Sequence, residues 1–144
     1  VSLPILTERL VERFRTQSKK HTIVADFPED CPAILADENR IEQVISNLIS
    51  NAIKYAPDGE IHISGQVRPE QVIICISDEG PGIDARDLPH IFDRFYRSTD
   101  AVRQTKGAGL GLYLARAIIE AHGGRIWADP KPDSGARICF SLPR

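Results

Sequence analysis

The chain has 144 residues, 42% of them hydrophobic, and a net charge of −2, which suits one domain with its own core. So balanced a charge provides no broad basic field for nucleic acid or an anionic membrane. Apolar runs of about five residues fall far short of the roughly 20 that span a bilayer, and no secretory signal pattern opens the chain. There is no Met, and the first residues already read as helix, so a fragment of a longer protein is expected.

Leu3, Leu6, Leu10, Val11 and Phe14 recur at helical spacing, with Ser2 as a cap and Pro4 tolerated in the first turn. Thr22 to Phe27 predicts a strand, and Ile34-Leu35-Ala36 a short extended segment. A second helix runs from near Asp37 to before Pro57, where Pro57-Asp58-Gly59 makes a turn. Its apolar face is Ile41, Val44, Ile45, Leu48, Ala52 and Ile53. On the other side Asn47, Asn51 and Lys54 stand at i, i+4 and i+7, which aligns them on one stripe. Asn is a poor helix former because its side chain competes for backbone hydrogen bonds. The stripe reads equally as a solvated face or as oxygen ligands for a hard cation beside a cation for phosphate.

Glu60 to Val67 alternates apolar and polar residues, and Arg68-Pro69-Glu70 joins it to the run ending at Asp78, predicting a hairpin. Asp84 to Arg97 reads as short helical turns, and Ser98 to Lys106, polar and without periodicity, as a mobile loop. Leu110, Leu114, Ala117, Ile118 and Ala121 predict another apolar helical face, stopped by Gly123-Gly124. Two strands follow, Arg125 to Asp129 and Arg137 to Leu142. The expected architecture is α/β, a two-layer sandwich with helices on one face of a mixed sheet, in a single domain over residues 1–144. Cys31, Cys75 and Cys139 are far apart and odd in number, so neither zinc nor a disulfide framework is expected. Cys75 and Cys139 read as small buried hydrophobes, in a reduced, cytoplasmic compartment.

Three glycine-bearing segments decide how the Asn stripe is read: Ser77-Asp78-Glu79-Gly80-Pro81-Gly82-Ile83, Lys106-Gly107-Ala108-Gly109-Leu110-Gly111-Leu112, and Asp133-Ser134-Gly135-Ala136-Arg137. With Ile91-Phe92-Asp93-Arg94-Phe95-Tyr96-Arg97 between the first two, they resemble in order the N, G1, F, G2 and G3 boxes of the sensor histidine kinase catalytic domain. That domain belongs to the Bergerat-type ATP-binding superfamily of DNA gyrase, MutL and a heat-shock chaperone. The resemblance covers nearly the whole chain and implies a Bergerat ATP-binding fold that uses ATP and Mg2+.

The residues agree with that implication. A carboxylate at Asp78 is acceptor-only, which suits the exocyclic amine of adenine and rejects the carbonyl of guanine. Gly107, Gly109 and Gly111 precede a helix, so free amides and the positive end of its dipole face a phosphate. Walker A would need Gly-Lys-Ser/Thr at the helix start, whereas Lys106 precedes these glycines; a Rossmann fingerprint would need glycine or alanine where Leu112 stands. By resemblance Asn51 is the magnesium ligand, and Lys54 and Arg97 neutralise phosphate. Tyr55 rests against the nucleotide, Gly80, Gly82 and Ile83 lie by the base, and Lys106, Gly107, Gly109, Leu110, Gly111 and Leu112 cradle the phosphates. Phe92 and Phe95 anchor the mobile loop, and Gly135 takes a structural turn near the sheet edge. Ala108 stands where the family often has Thr, which leaves the glycine backbone unchanged.

Asn47 is the residue four before the magnesium Asn. The superfamily's ATPases and serine kinases place a Glu there as general base, which Asn cannot replace. A neutral imidazole needs no strong base to attack phosphorus, so the chain looks built to phosphorylate histidine with hydrolysis suppressed. Asn47, Lys54 and Arg97 are its candidate catalytic residues. None of His21, His62, His90 and His122 starts the acid-flanked helical motif of an acceptor, and His122 is explained by a favourable contact with a helix dipole. The resemblance implies an acceptor on a histidine-bearing dimerisation domain of the same protein, a homodimer at full length, and a response-regulator receiver domain downstream. It places the chain in the cytoplasm, as a free protein or as the cytoplasmic part of a membrane-bound sensor. The alternatives are an ATP-driven clamp of the gyrase or chaperone type, and a catalytically idle ATP-sensing module.

Overall fold

The computed structural model describes residues 1–56, 58–80, 86–93, 110–129 and 135–144, with only the backbone at 55, 110 and 111. Among these lie α1 (Leu3–Gln17), β1 (His21–Asp26), α2 (Glu38–Tyr55), β2 (Gly59–Val67), β3 (Gln71–Ser77), α3 (Leu110–Ala121), β4 (Arg125–Asp129) and β5 (Arg137–Pro143). Both helix starts named above hold. The Ser2 hydroxyl accepts the Ile5 N–H at 3.4 Å. The Asp37 carboxylate accepts those of Asn39 and Arg40 at 3.1 and 3.3 Å, at the positive end of α2.

The strands form one sheet in the order β1-β2-β3-β5-β4. β1 and β2 are parallel, and every other pair is antiparallel. A parallel pair needs a crossover, and α2 supplies it. Ile23, Ile61, Ile63, Ile74, Ile76 and Phe140 point from one face of the sheet into a single core with the apolar stripes of the helices. The expected two-layer α/β sandwich on a mixed sheet is therefore the fold found.

The segment Ile34-Leu35-Ala36 joins no ladder of the sheet; Ile34 exchanges backbone hydrogen bonds with Val1 at 2.8 and 2.9 Å, and Leu35 projects into solvent. Two local expectations are corrected. On α3 the buried residues are Leu112, Ala115 and Ile119, whereas Leu114, Ala117 and Ala121 are exposed. That helix is apolar on almost every side, so periodicity alone cannot choose between overlapping stripes, and packing against α2 and β4 makes the choice. Cys75 and Cys139 are joined in a disulfide. They stand directly opposite on β3 and β5, with Cα atoms 4.1 Å apart, a proximity set by register and invisible in their spacing. Gly135 precedes β5, the strand next to the edge strand β4.

Candidate nucleotide site

The site grows from the way α2 is seated. Ile41, Val44, Ile45, Leu48, Ile49 and Ala52 are buried, which fixes the helix's rotation. Asn47 and Asn51 are then left half-buried and Lys54 exposed on the remaining side. Among the described residues the Nδ2 of Asn51 is buried without a hydrogen-bond partner. An unmet buried amide costs about 1–3 kcal/mol, a cost tolerated where a ligand completes the site. A carboxamide offers an oxygen to a hard cation and an NH2 to an anionic oxygen or a metal-held water, so Asn51 fits magnesium. The end of α2 is braced by His21, whose Nε2 is 2.5 Å from the Ala56 carbonyl and whose Nδ1 is 2.6 Å from the Ser18 hydroxyl. The ring donates its Nε2–H to the carbonyl and shares a hydrogen bond with the hydroxyl at Nδ1.

Asp78 follows β3 directly and is only 7% exposed. Its Oδ1 accepts the Gly80 N–H at 2.8 Å and the Ala136 N–H at 3.3 Å, while its own N–H donates to the Ala136 carbonyl at 3.0 Å. No described residue bonds Oδ2. One carboxylate oxygen is thus spent on orientation and the other remains for a donor. Burial pushes the carboxyl above the usual Asp range; the two backbone N–H groups and nearby His21 pull it partly back. Beside it opens a cleft lined by Glu60, His62, Ser77, Asp78 and Glu79. There the Glu79 carboxylate accepts the Glu60 N–H.

α3 begins at Leu110, and its first backbone N–H groups have no partner within the helix. Leu112 turns its side chain into the core, which leaves only its backbone for a phosphate. Phe92 packs against the core. Gly82, Ile83, Arg97, Lys106, Gly107 and Gly109 lie outside the described residues, as do Phe95, the loop 98–106 and the side chains of Tyr55 and Leu110. The described fold therefore brings Asn47, Asn51 and Lys54 onto one face of α2 and Asp78 to the end of β3. Sequence reasoning missed Ala136 and His21. Ala136 acts through its backbone and leaves no side-chain signal, and His21 meets a carbonyl 35 residues away.

The model of the family described as histidine kinase-, DNA gyrase B- and HSP90-like ATPase matches residues 36–144. Sensor histidine kinase WalK of Bacillus subtilis is 40% identical over 139 residues, covering 93% of this chain and 23% of that protein. Adaptive-response sensory kinase SasA of a Synechocystis species is 43% identical over 142 residues, covering 96% of this chain and 37% of that protein. The chain thus spans well under half the length of these relatives. Among solved structures, the mycobacterial sensor histidine kinase MprB superposes with a TM-score of 0.87 at 27% identity, covering 99% of this chain and 96% of the other. Full-length ShkA in complex with AMPPNP superposes with a TM-score of 0.86 at 29% identity, covering 99% of this chain and 30% of the other.

Proposed function

Because this chain belongs to the histidine kinase-, DNA gyrase B- and HSP90-like ATPase family, we propose that it is the ATP-binding catalytic domain of a two-component sensor histidine kinase. It transfers the γ-phosphoryl group of ATP to a histidine on a separate dimerisation domain of the same protein. The observation that carries this reading is Asp78, a buried carboxylate held by two backbone N–H groups, with its second oxygen bonded by none of the described residues. Such an oxygen accepts the adenine amine in a charge-assisted bond worth about 1.5–3 kcal/mol. The solved relative in complex with AMPPNP, an ATP analogue, supports the same ligand class.

Asn51 would hold magnesium through its carboxamide oxygen, and the ion would supply positive charge against the charge that develops in transfer. Lys54 and Arg97 add positive charge at the phosphates, and the amides of the glycine-bearing segment Lys106 to Leu112 cradle them. Asn47 stands where a general base would activate water, and it cannot accept a proton. Hydrolysis is suppressed, while an imidazole brings its own lone pair. The same absence of a base weighs against the clamp-type ATPase. At full length the protein is a homodimer with its active site in the cytoplasm, where the Cys75–Cys139 bond would close only under oxidising conditions, and its phosphohistidine passes the group to a receiver domain. Among the described residues no helix is long and apolar enough to cross a membrane.

Calorimetric titration of the chain with ATP, ADP and GTP tests the reading. ATP and ADP are expected to bind at least tenfold tighter than GTP, and Asp78→Asn to remove most of that preference. Equal affinity for ATP and GTP in the folded wild-type chain would overturn it.

A further inference from the structure

Gly135 has no assigned part in nucleotide binding, yet its backbone runs closer to Asp78 than any side chain would permit. Its φ is +78°, in the left-handed region that favours glycine. A Cβ at this position would overlap the carbonyl oxygen of Asp78 and stand 2.9 Å from the amide nitrogen of Gly80. The next residue, Ala136, extends the β3–β5 ladder by one step beyond the Ser77–Arg137 pair. It does so by accepting the Asp78 N–H at 3.0 Å and donating its own N–H to Oδ1 at 3.3 Å.

We infer that Gly135 is a specificity-positioning residue: the side-chain-free approach it permits lets the Ala136 N–H clamp Oδ1 of Asp78, which aims Oδ2 at the exocyclic amine of adenine. The inference rests on the nucleotide reading above and adds a second strand to the base-recognition machinery. Without that clamp Oδ1 keeps only the Gly80 N–H, on the chain's own turn. The carboxylate can then rotate, and an amine donor meets a population of orientations in place of one. The triphosphate contacts lie elsewhere and are untouched, so the loss falls on adenine alone.

The test compares ATP with inosine triphosphate, which carries a carbonyl where ATP carries the amine, in wild type, Gly135→Ala, Asp78→Asn and the double variant. Wild type is expected to prefer ATP by about tenfold or more. Gly135→Ala should lose most of that preference while binding inosine triphosphate as wild type does. The double variant should bind ATP no more weakly than Asp78→Asn alone. A preference kept in folded Gly135→Ala overturns the inference and leaves the adenine reading standing. An equal loss for both nucleotides overturns it too, as a merely structural effect. No preference in wild type sinks the adenine reading and the inference with it.

Should Gly135→Ala fail to fold, heteronuclear NMR of the isotope-labelled wild-type chain decides. The amide resonances of Gly80 and Ala136 should shift with pH at one midpoint, shared with the Asp78 carboxyl carbon. In Asp78→Asn that joint shift should vanish, which separates it from titration of His21, His62, Glu60 or Glu79 nearby. An Ala136 amide silent through that midpoint overturns the clamp.

Discussion

The carboxylate of Asp78 stands where desolvation and recognition pull in opposite directions. Burial, the largest cause, raises its pKa above the usual Asp value, although the Gly80 and Ala136 N–H groups and His21 oppose the shift. A carboxyl whose folded value exceeds its unfolded one binds a proton more readily in the folded chain. Its charge therefore weakens the fold at neutral pH, and that penalty lifts as pH falls through the raised value. Asp78→Asn keeps an acceptor oxygen for both N–H groups and removes the buried charge. Urea denaturation at neutral pH should accordingly show a variant at least as stable as wild type, while its ATP affinity falls about tenfold to a hundredfold. A clear drop in stability would mean that the charge holds the turn together. Adenine affinity needs the ionised form, so it should decline on acidification from a higher pH than an ordinary Asp, about 3.9, would give; an affinity flat down to that value would contradict the burial argument. Asn51 belongs to this scale as well. Asn51→Ala removes the orphaned amide and the proposed metal oxygen together, so it should cost the fold little. The magnesium dependence of ATP binding, read by titration with and without the ion, should largely disappear. Normal dependence in the variant would take the metal away from α2.

Helices α2 and α3 flank the proposed phosphate site, and His122 ties them. Its Nδ1 is 2.8 Å from the Ile118 carbonyl and its Nε2 is 3.2 Å from the backbone nitrogen of Asp37, the cap of α2. Nδ1 therefore donates and Nε2 accepts, which a neutral ring does with its one proton on Nδ1. The dipole contact named from the sequence is thus only part of what this side chain does. His122→Ala loses both bonds and should lower stability by about 1–2 kcal/mol, measured by urea denaturation; an unchanged midpoint would show the tie to be idle. No spacing rule could reveal this bond, because its partners are 85 residues apart. The same limit recurs in the other elements. α1 and α2 were legible because each carries one apolar stripe, and a single stripe has one way to face a core. α3 carries apolar residues nearly all round, so its buried face depended on neighbours distant in sequence. Asp78 and the Asn stripe could be named early because side-chain chemistry marks them. The Ala136 clamp is backbone geometry and carries no such mark.

Across the whole molecule the Cys75–Cys139 disulfide closes a loop of 64 residues between β3 and β5. Chain entropy assigns a loop of that size about 4 kcal/mol of stabilisation. Oxidised chain should therefore unfold at a clearly higher urea concentration than chain held reduced, and mass spectrometry after alkylation should find only Cys31 labelled in the oxidised form. Three labelled cysteines without reductant would contradict the bond. The arrangement of the site makes a further demand on the molecule. In the proposed reading Asp78, Asn51, Lys54 and the start of α3 hold, orient and neutralise a triphosphate, but they supply no nucleophile. Asn47 supplies no base for water, and the four histidines sit within the nucleotide-binding fold. The chain alone should bind ATP without appreciable turnover or self-labelling. The most direct measurement is phosphoryl transfer from γ-labelled ATP, with this chain alone and with its cognate histidine-bearing helical domain added. Acid-labile, base-stable label should appear on the added domain and none on this chain. Rapid ATP turnover by the chain alone, or acid-stable label on one of its own serines, would contradict the histidine kinase reading.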